Sequence, residues 1–148
     1  MSLANPNSFP IRLEQVFFTR QIVIAVHGYV QPKDGDSAKV LLPTNTITVL
    51  PVPQRLKVYA VAMQTIFNLE QDVSAPYSVD MECHAIFVAK EDAPEEEVQA
   101  ALTFTGHSVV FGAIREAVYW MTGRQPYGPM PLGLSILQPA SQVAEEKS

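Results

Sequence analysis

The chain of 148 residues has a single cysteine, Cys83, so no disulfide can form within it. A reducing compartment is the usual setting for such a sequence. The sequence also has neither a basic start followed by an apolar core nor a run of about 18 apolar residues, so we predict no signal peptide and no membrane-inserted helix. Together these absences predict a cytoplasmic protein.

Charged residues are scarce as well. They form 17% of the chain against 47% hydrophobic residues, and the net charge is −5. A typical globular domain carries about one quarter charged residues. Because basic clusters are absent, we do not expect nucleic-acid binding. So little charge predicts that a partner hides part of the apolar surface, and self-association is the simplest way to hide it.

Catalytic and metal-binding motifs are also missing. The sequence contains no phosphate-binding glycine loop, no Gly-x-Ser-x-Gly and no paired cysteine or histidine spacing of a zinc site. Cys83 and His84 are successive strand residues that face opposite sides, so we expect them not to converge with each other or with His107. Asp80 and Glu82 share a strand face, as acids on the wet face of a sheet do. We therefore predict no enzyme, no metal site and no cofactor.

Four segments carry strand patterns: residues 11–26, 44–50, 56–69 and 77–89. Alternation is clearest in 77–89, whose odd-numbered residues are all apolar. Segment 56–69 is apolar on both faces, which predicts cover on both sides. The connection 68–76 is short enough to join antiparallel neighbours.

The hydrophobic period changes to that of a helix after residue 91. Pro94 and the three glutamates after it suit a first turn. We predict a short helix ending near Leu102 and a longer helix over 107–122, with Gly123 just beyond its end. The result is an α+β fold, a four-stranded antiparallel sheet followed by a short and a long helix. One domain should span 11–138, between flexible segments 1–10 and 139–148.

The end of the long helix and the segment after it are rich in aromatic and apolar side chains. We predict that they bind another polypeptide through Tyr119, Trp120, Tyr127, Met130, Leu132 and Leu134. At least half of them are expected to close the core over the sheet as well. Prolines keep this segment from pairing as a central strand, so it must cross a surface, where aromatic and methionine side chains suit tolerant binding.

Arg115 and Glu116 are adjacent charges inside the apolar helix. Neighbouring helix residues do not face one another, so each needs a partner elsewhere. Either both are exposed to solvent, or they cross a helix–helix interface in which buried charges must be paired. The sequence leaves both interpretations open.

The order of these parts resembles SecB, the tetrameric chaperone of bacterial protein export, over residues 9–137. The first-strand segment 11–20 and the segment Ala85-Ile-Phe87 are similar to strands of that family. The helix and its exit carry the strongest resemblance, at Phe111, Arg115, Glu116, Met121, Arg124, Tyr127 and Leu132.

The resemblance implies an ATP-independent holdase that keeps non-native preproteins unfolded in hydrophobic grooves without nucleotide. Two protomers would join their sheets, and two dimers would pair through the long helices into a homotetramer. Phe111, Arg115 and Glu116 would then lie at the oligomer interface. The SecA motor would dock on acidic strand residues, of which Asp80 matches one.

The sequence also departs from SecB. Gln21 and Ala25 stand where SecB has acidic docking residues, and Pro139 interrupts a segment that is a second helix in SecB. Client binding is thus better supported than SecA docking. The alternatives are a chaperone dedicated to an antitoxin or another specialised client, a small-ligand-binding α+β domain, and an assembly protein whose apolar surface serves only oligomerisation.

Overall fold

A computed structural model describes residues 2, 5–33, 35 and 41–137. The predicted tail 139–148 lies outside them. One antiparallel sheet has the strand order β1-β4-β3-β2, so β1 and β2 are its edges. The elements in chain order are a 3-10 turn Pro6–Ser8, β1 Ile11–Ala25, β2 Thr44–Pro51, β3 Val58–Phe67, β4 Tyr77–Ala89 and α1 Glu95–Thr122. The predicted α+β class with four antiparallel strands is confirmed, and the turn at Pro6–Ser8 was not predicted.

The strand β4 is the centre of the core. It lies between β1 and β3, and its odd-numbered residues from Tyr77 to Ala89 are at most 8% exposed. These side chains share one face of the sheet, and those from Val79 to Ala89 pack in a single apolar cluster with the buried side of α1. The sequence alternation therefore identifies the helix-covered face correctly.

The prediction that β3 is covered on both faces is wrong. Val61 and Met63 on the helix side are buried, whereas Ala60, Ala62 and Ile66 on the other side are partly exposed. No described helix or strand packs on that second face, because α1 is the single helical layer within the described ranges. An apolar strand pattern thus does not reveal how many layers cover the strand.

The two predicted helices are one continuous helix, so the expected break between Leu102 and His107 is wrong. Gly106 lies within that stretch, where α1 passes very close to β3. A Cβ atom added to Gly106 would lie 2.7 Å from Cγ2 of Val61. Glycine usually weakens a helix, but here the close approach of helix and sheet requires it.

We expect Gly106→Ala to lower the free energy of unfolding by about 1–3 kcal/mol, because the new methyl group must displace Val61 or lift the helix. Urea unfolding followed by circular dichroism measures the change. Gly112→Ala is the matched control, since no heavy atom lies within 4 Å of its Cβ position. Alanine there should raise the stability by roughly 0.5–1 kcal/mol through helix propensity. Equal effects at the two glycines would contradict the close packing at Gly106.

Candidate functional site

The chain turns back on itself where α1 ends. We call residues 123–128 the exit loop and residues 129–137 the return segment. The backbone N–H of Met130 donates to Oγ1 of Thr122 at 2.8 Å, and Oγ of Ser135 lies 2.9 Å from Nε2 of His107. The return segment therefore runs beside α1 in the opposite direction, from its last residue towards its middle.

Tyrosine side chains fix the exit loop to the ends of β1 and β4. The Tyr127 hydroxyl donates to the carbonyl of Val26 at 2.8 Å, and the Tyr127 backbone N–H donates to the Tyr77 hydroxyl at 3.0 Å. The ring of Tyr29 meets that of Tyr127 edge-on, with 5.0 Å between the centroids. The loop thus has a defined place on the sheet, and Tyr127 contributes to that place as well as to the surface.

The structure divides the six predicted client-binding residues into two groups. Four carry large exposed side chains, with exposed fractions of 53% for Tyr119, 59% for Trp120, 40% for Tyr127 and 80% for Leu134. Met130 is partly buried, and Leu132 is 6% exposed within the core cluster. The three exposed aromatic residues lie at the end of α1, whereas Leu134 lies farther along the return segment, next to Ser135, and Leu132 anchors that segment.

A groove of about 300 Å³ lies between α1 and the edge strand β1. Trp120 and Met121 form one wall, and Phe18 and Gln21 of β1 lie opposite. The guanidinium of Arg124 stacks on the Trp120 ring, with its Cζ 3.8 Å from the ring centroid. Sequence reasoning missed Phe18 and Gln21 as groove residues, because nothing local links them to a helix about 100 positions away.

A second groove of about 410 Å³ lies on the other flank of α1, beside the return segment. Its lining residues are Gly112, Arg115, Glu116, Tyr119, Pro131 and Leu132. Glu116 borders both grooves, so the exposed ridge of α1 separates them. The region therefore offers two shallow apolar channels with Tyr119 and Trp120 between them.

The three predicted oligomer-interface residues do not share one environment. Phe111 is 5% exposed, belongs to the core of the protomer and stacks on His107 with 6.0 Å between centroids. Arg115 and Glu116 are exposed, and the Arg115 guanidinium lies 6.0 Å from the Phe111 ring. Only these two charged side chains are open to a partner.

Asp80 lies on the sheet face that points away from α1. Its carboxylate accepts from Arg20 and from Gln64, each at 3.4 Å. Gln21 and Ala25 pair with the buried residues of β4 and so lie on the helix side. The three positions that the resemblance aligns with SecA docking therefore occupy both faces of the sheet.

The remaining reactive side chains do not converge. Cys83 is fully buried on the helix side, and this burial raises the pKa of its thiol to about 11. His84 lies on the opposite face beside Glu82, and His107 on α1 meets Ser135. The described part of the chain contains no cluster of three or more histidine, cysteine, aspartate or glutamate side chains placed to hold a metal.

A further cavity, of about 500 Å³, lies at the other end of the sheet, next to the N-terminal turn. Phe9, Leu13 and Val88 form apolar walls. The ammonium group of Lys90 at its rim donates to the backbone carbonyl of Asn7. A small-ligand site needs a few convergent polar groups. The ammonium group of Lys90 is already engaged in its hydrogen bond to the N-terminal turn.

His107 should make stability depend on pH. Burial lowers its pKa in the folded protein below the value of about 6.5 in an unfolded chain. The stability that the neutral, buried His107 ring contributes is therefore complete above a pH of about 6.5 and is lost as the pH falls below that value. We expect the free energy of unfolding to fall more steeply from pH 7 to 5 in the wild type than in His107→Gln, by at most about 1.4 kcal/mol per pH unit. Identical slopes in the two proteins would contradict the assignment.

Comparisons with known proteins show the fold. No protein-family model matches the sequence, and no curated protein matches it either. The structure is similar to a SecB-like chaperone of Mycobacterium tuberculosis, solved in complex with a ChAD peptide from the HigA1 antitoxin, with a TM-score of 0.61 and 23% identity over 85% of this chain and 91% of that one. A protein of unknown function from Streptococcus agalactiae aligns with a TM-score of 0.50 and 11% identity, over 86% of this chain and 99% of that one. The chain has a SecB-like fold, and none of its described helices is long and apolar enough to span a bilayer.

Proposed function

We propose that this protein is an ATP-independent chaperone that holds non-native polypeptides on the apolar surface at the end of α1. The observation that carries the proposal is the exposure of Tyr119, Trp120 and Tyr127 at the end of α1, where Tyr119 and Trp120 each line a groove. Exposed apolar patches on a soluble domain mark binding sites for other molecules. Such a patch suits unfolded chains, because these offer apolar side chains in many orders.

The grooves would hold an extended client by side-chain burial. Aromatic rings supply a large contact area at low entropic cost, and the open channels place few steric limits on the client. Release needs no nucleotide, since each contact is weak enough to be lost when the client folds or is taken over. The chaperone would keep its client unfolded by mass action alone.

We favour a specialised client over general export. The SecB-like neighbour was solved with a ChAD peptide from an antitoxin, so a peptide from one specific partner is a suitable ligand for this fold. Docking of SecA has less support here, because Gln21 and Ala25 are neutral and Asp80 is already paired with Arg20. Delivery of preproteins to SecA is the second candidate.

The test is suppression of aggregation without ATP. A chemically denatured reporter enzyme is diluted into buffer with increasing amounts of this protein, and light scattering is followed. We expect scattering to fall to near zero at a several-fold molar excess. Unchanged scattering would refute the proposal, and a parallel pull-down with purified SecA would separate export from a specialised role.

We also propose that the protein assembles as a dimer of dimers through its sheets and α1 helices. Arg115 and Glu116 are exposed on the outer side of α1 and also line the grooves, so a second helix that meets them would cover that part of the grooves and leave Trp120 and the exit loop to clients. Charges in such an interface must be paired across it, since an unpaired buried charge is costly. The two residues would then fix the register of the helix pair.

We expect Arg115→Glu and Glu116→Arg each to weaken assembly by about tenfold or more, and the double exchange to restore most of it, because the exchange recreates the opposite-charge pair. Analytical ultracentrifugation over a range of concentrations measures the change. Four proteins of identical mass at all concentrations would show that the charges lie outside any interface.

A further inference from the structure

Tyr77 is a fully buried tyrosine at the first position of β4, next to the exit loop. Its hydroxyl accepts from the backbone N–H of Tyr127 at 3.0 Å and lies 2.8 Å from the carbonyl oxygen of Gly128. The carbonyl oxygen of Thr122 is also within 3.2 Å. The buried hydroxyl thus accepts one hydrogen bond and donates its single proton to one of the two carbonyls, where α1 ends and the exit loop turns. Removing it leaves the Tyr127 N–H and that carbonyl without this partner.

Besides Tyr77, the exit loop is held by the side chains of Tyr127 and Gln125, which donate to the backbone carbonyls of Val26 and Val23. Gly123, Arg124, Pro126 and Tyr127 are all exposed, so the loop buries little apolar surface of its own. Gly128 holds a left-handed backbone with φ of 79°, and its carbonyl oxygen lies 2.8 Å from the Tyr77 hydroxyl. Order in this loop therefore depends on hydrogen bonds more than on burial.

We propose that Tyr77 is a positioning residue for client binding, which holds the exit loop in the conformation that presents Tyr127 and the Arg124–Trp120 stack. The inference rests on the proposed function, since it assigns a role in binding to a side chain that no client can touch. A loop that is already ordered loses little further conformational entropy when the client binds. Without the Tyr77 hydroxyl, client binding must order the loop, and the entropy lost in doing so lowers the affinity.

The test is Tyr77→Phe, which keeps the ring and removes only the hydroxyl. We expect amide exchange at Tyr127 to become about tenfold faster and the affinity for reduced, carboxymethylated lactalbumin to fall roughly fivefold, the loss of about one hydrogen bond. Val79→Ala is the control, because it shortens a fully buried apolar side chain on the same face of β4. It should lower the stability of the fold and leave the affinity within about twofold.

The outcomes separate the two proposals. Wild-type affinity in folded Tyr77→Phe, or an equal loss of affinity in Val79→Ala, overturns the positioning role. If Tyr77→Phe does not fold, Gly128→Ala is the second variant. It disturbs the last residue of the exit loop, because alanine is strained at the φ of 79° that Gly128 adopts. Unchanged affinity in Gly128→Ala then overturns the role. A wild type that binds no lactalbumin refutes the holdase instead, and slow exchange at Tyr127 in Tyr77→Phe still rejects the ordering role.

Discussion

Trp120→Ala is expected to weaken binding of an unfolded polypeptide by about tenfold or more, because exposed tryptophans at binding surfaces commonly contribute 2 kcal/mol or more. The ring is 59% exposed and stacks on Arg124, so little of it supports the fold. The melting temperature should therefore change by less than about 2 °C. Fluorescence anisotropy with labelled reduced, carboxymethylated lactalbumin gives the affinity, and calorimetry gives the melting temperature.

The control for this prediction is Phe104→Ala. Phe104 is an aromatic residue on the same helix with a similar exposure of 62%, but it lies about five turns away from the exit loop. We expect its removal to leave the affinity unchanged. Equal losses at Trp120 and Phe104 would mean that unfolded chains adhere to any exposed aromatic ring, and that the end of α1 is not a distinct site.

The same variant distinguishes a chaperone from an assembly protein. If the apolar surface serves only oligomerisation, Trp120 is buried between protomers and Trp120→Ala lowers the mass in solution. If clients use the surface, the mass stays constant and the affinity falls. Measuring the mass and the affinity on one preparation shows whether the Trp120 ring lies between protomers or binds clients.

Local patterns in the sequence predict local structure here. The alternation over 77–89 identifies both β4 and its buried face, because the side-chain period of a strand is fixed by its backbone. The same reasoning cannot show what covers a face. The apolar second face of β3 therefore suggested a layer that the described protomer does not supply.

Contacts between distant segments account for the errors. The close packing of α1 on β3 depends on the approach of Gly106 to Val61, which are 45 positions apart. The burial of Leu132 depends on the return segment lying against α1, and the groove beside Trp120 depends on Phe18 of β1. None of these pairings leaves a periodic signal. The sequence therefore indicates which residues are apolar but not which of them are buried in the core.

Leu132→Ala is expected to lower the free energy of unfolding by about 2–4 kcal/mol, since it removes a buried leucine from a packed core and leaves a cavity. Leu132 is 6% exposed and holds the return segment against α1. Chemical denaturation measures the loss. The return segment should also become sensitive to limited proteolysis, because its remaining hydrogen bonds to Thr122 and His107 are few.

Leu134→Ala provides the contrast, because it makes the same chemical change two positions along at a side chain that is 80% exposed. We expect its stability to stay within about 0.5 kcal/mol of the wild type and its affinity for unfolded lactalbumin to fall. Similar losses of stability in the two variants would mean that the return segment does not lie on α1 as described. Loss of affinity in Leu134→Ala with full stability would instead assign the outward side chains of the return segment to clients, and the inward ones to the fold.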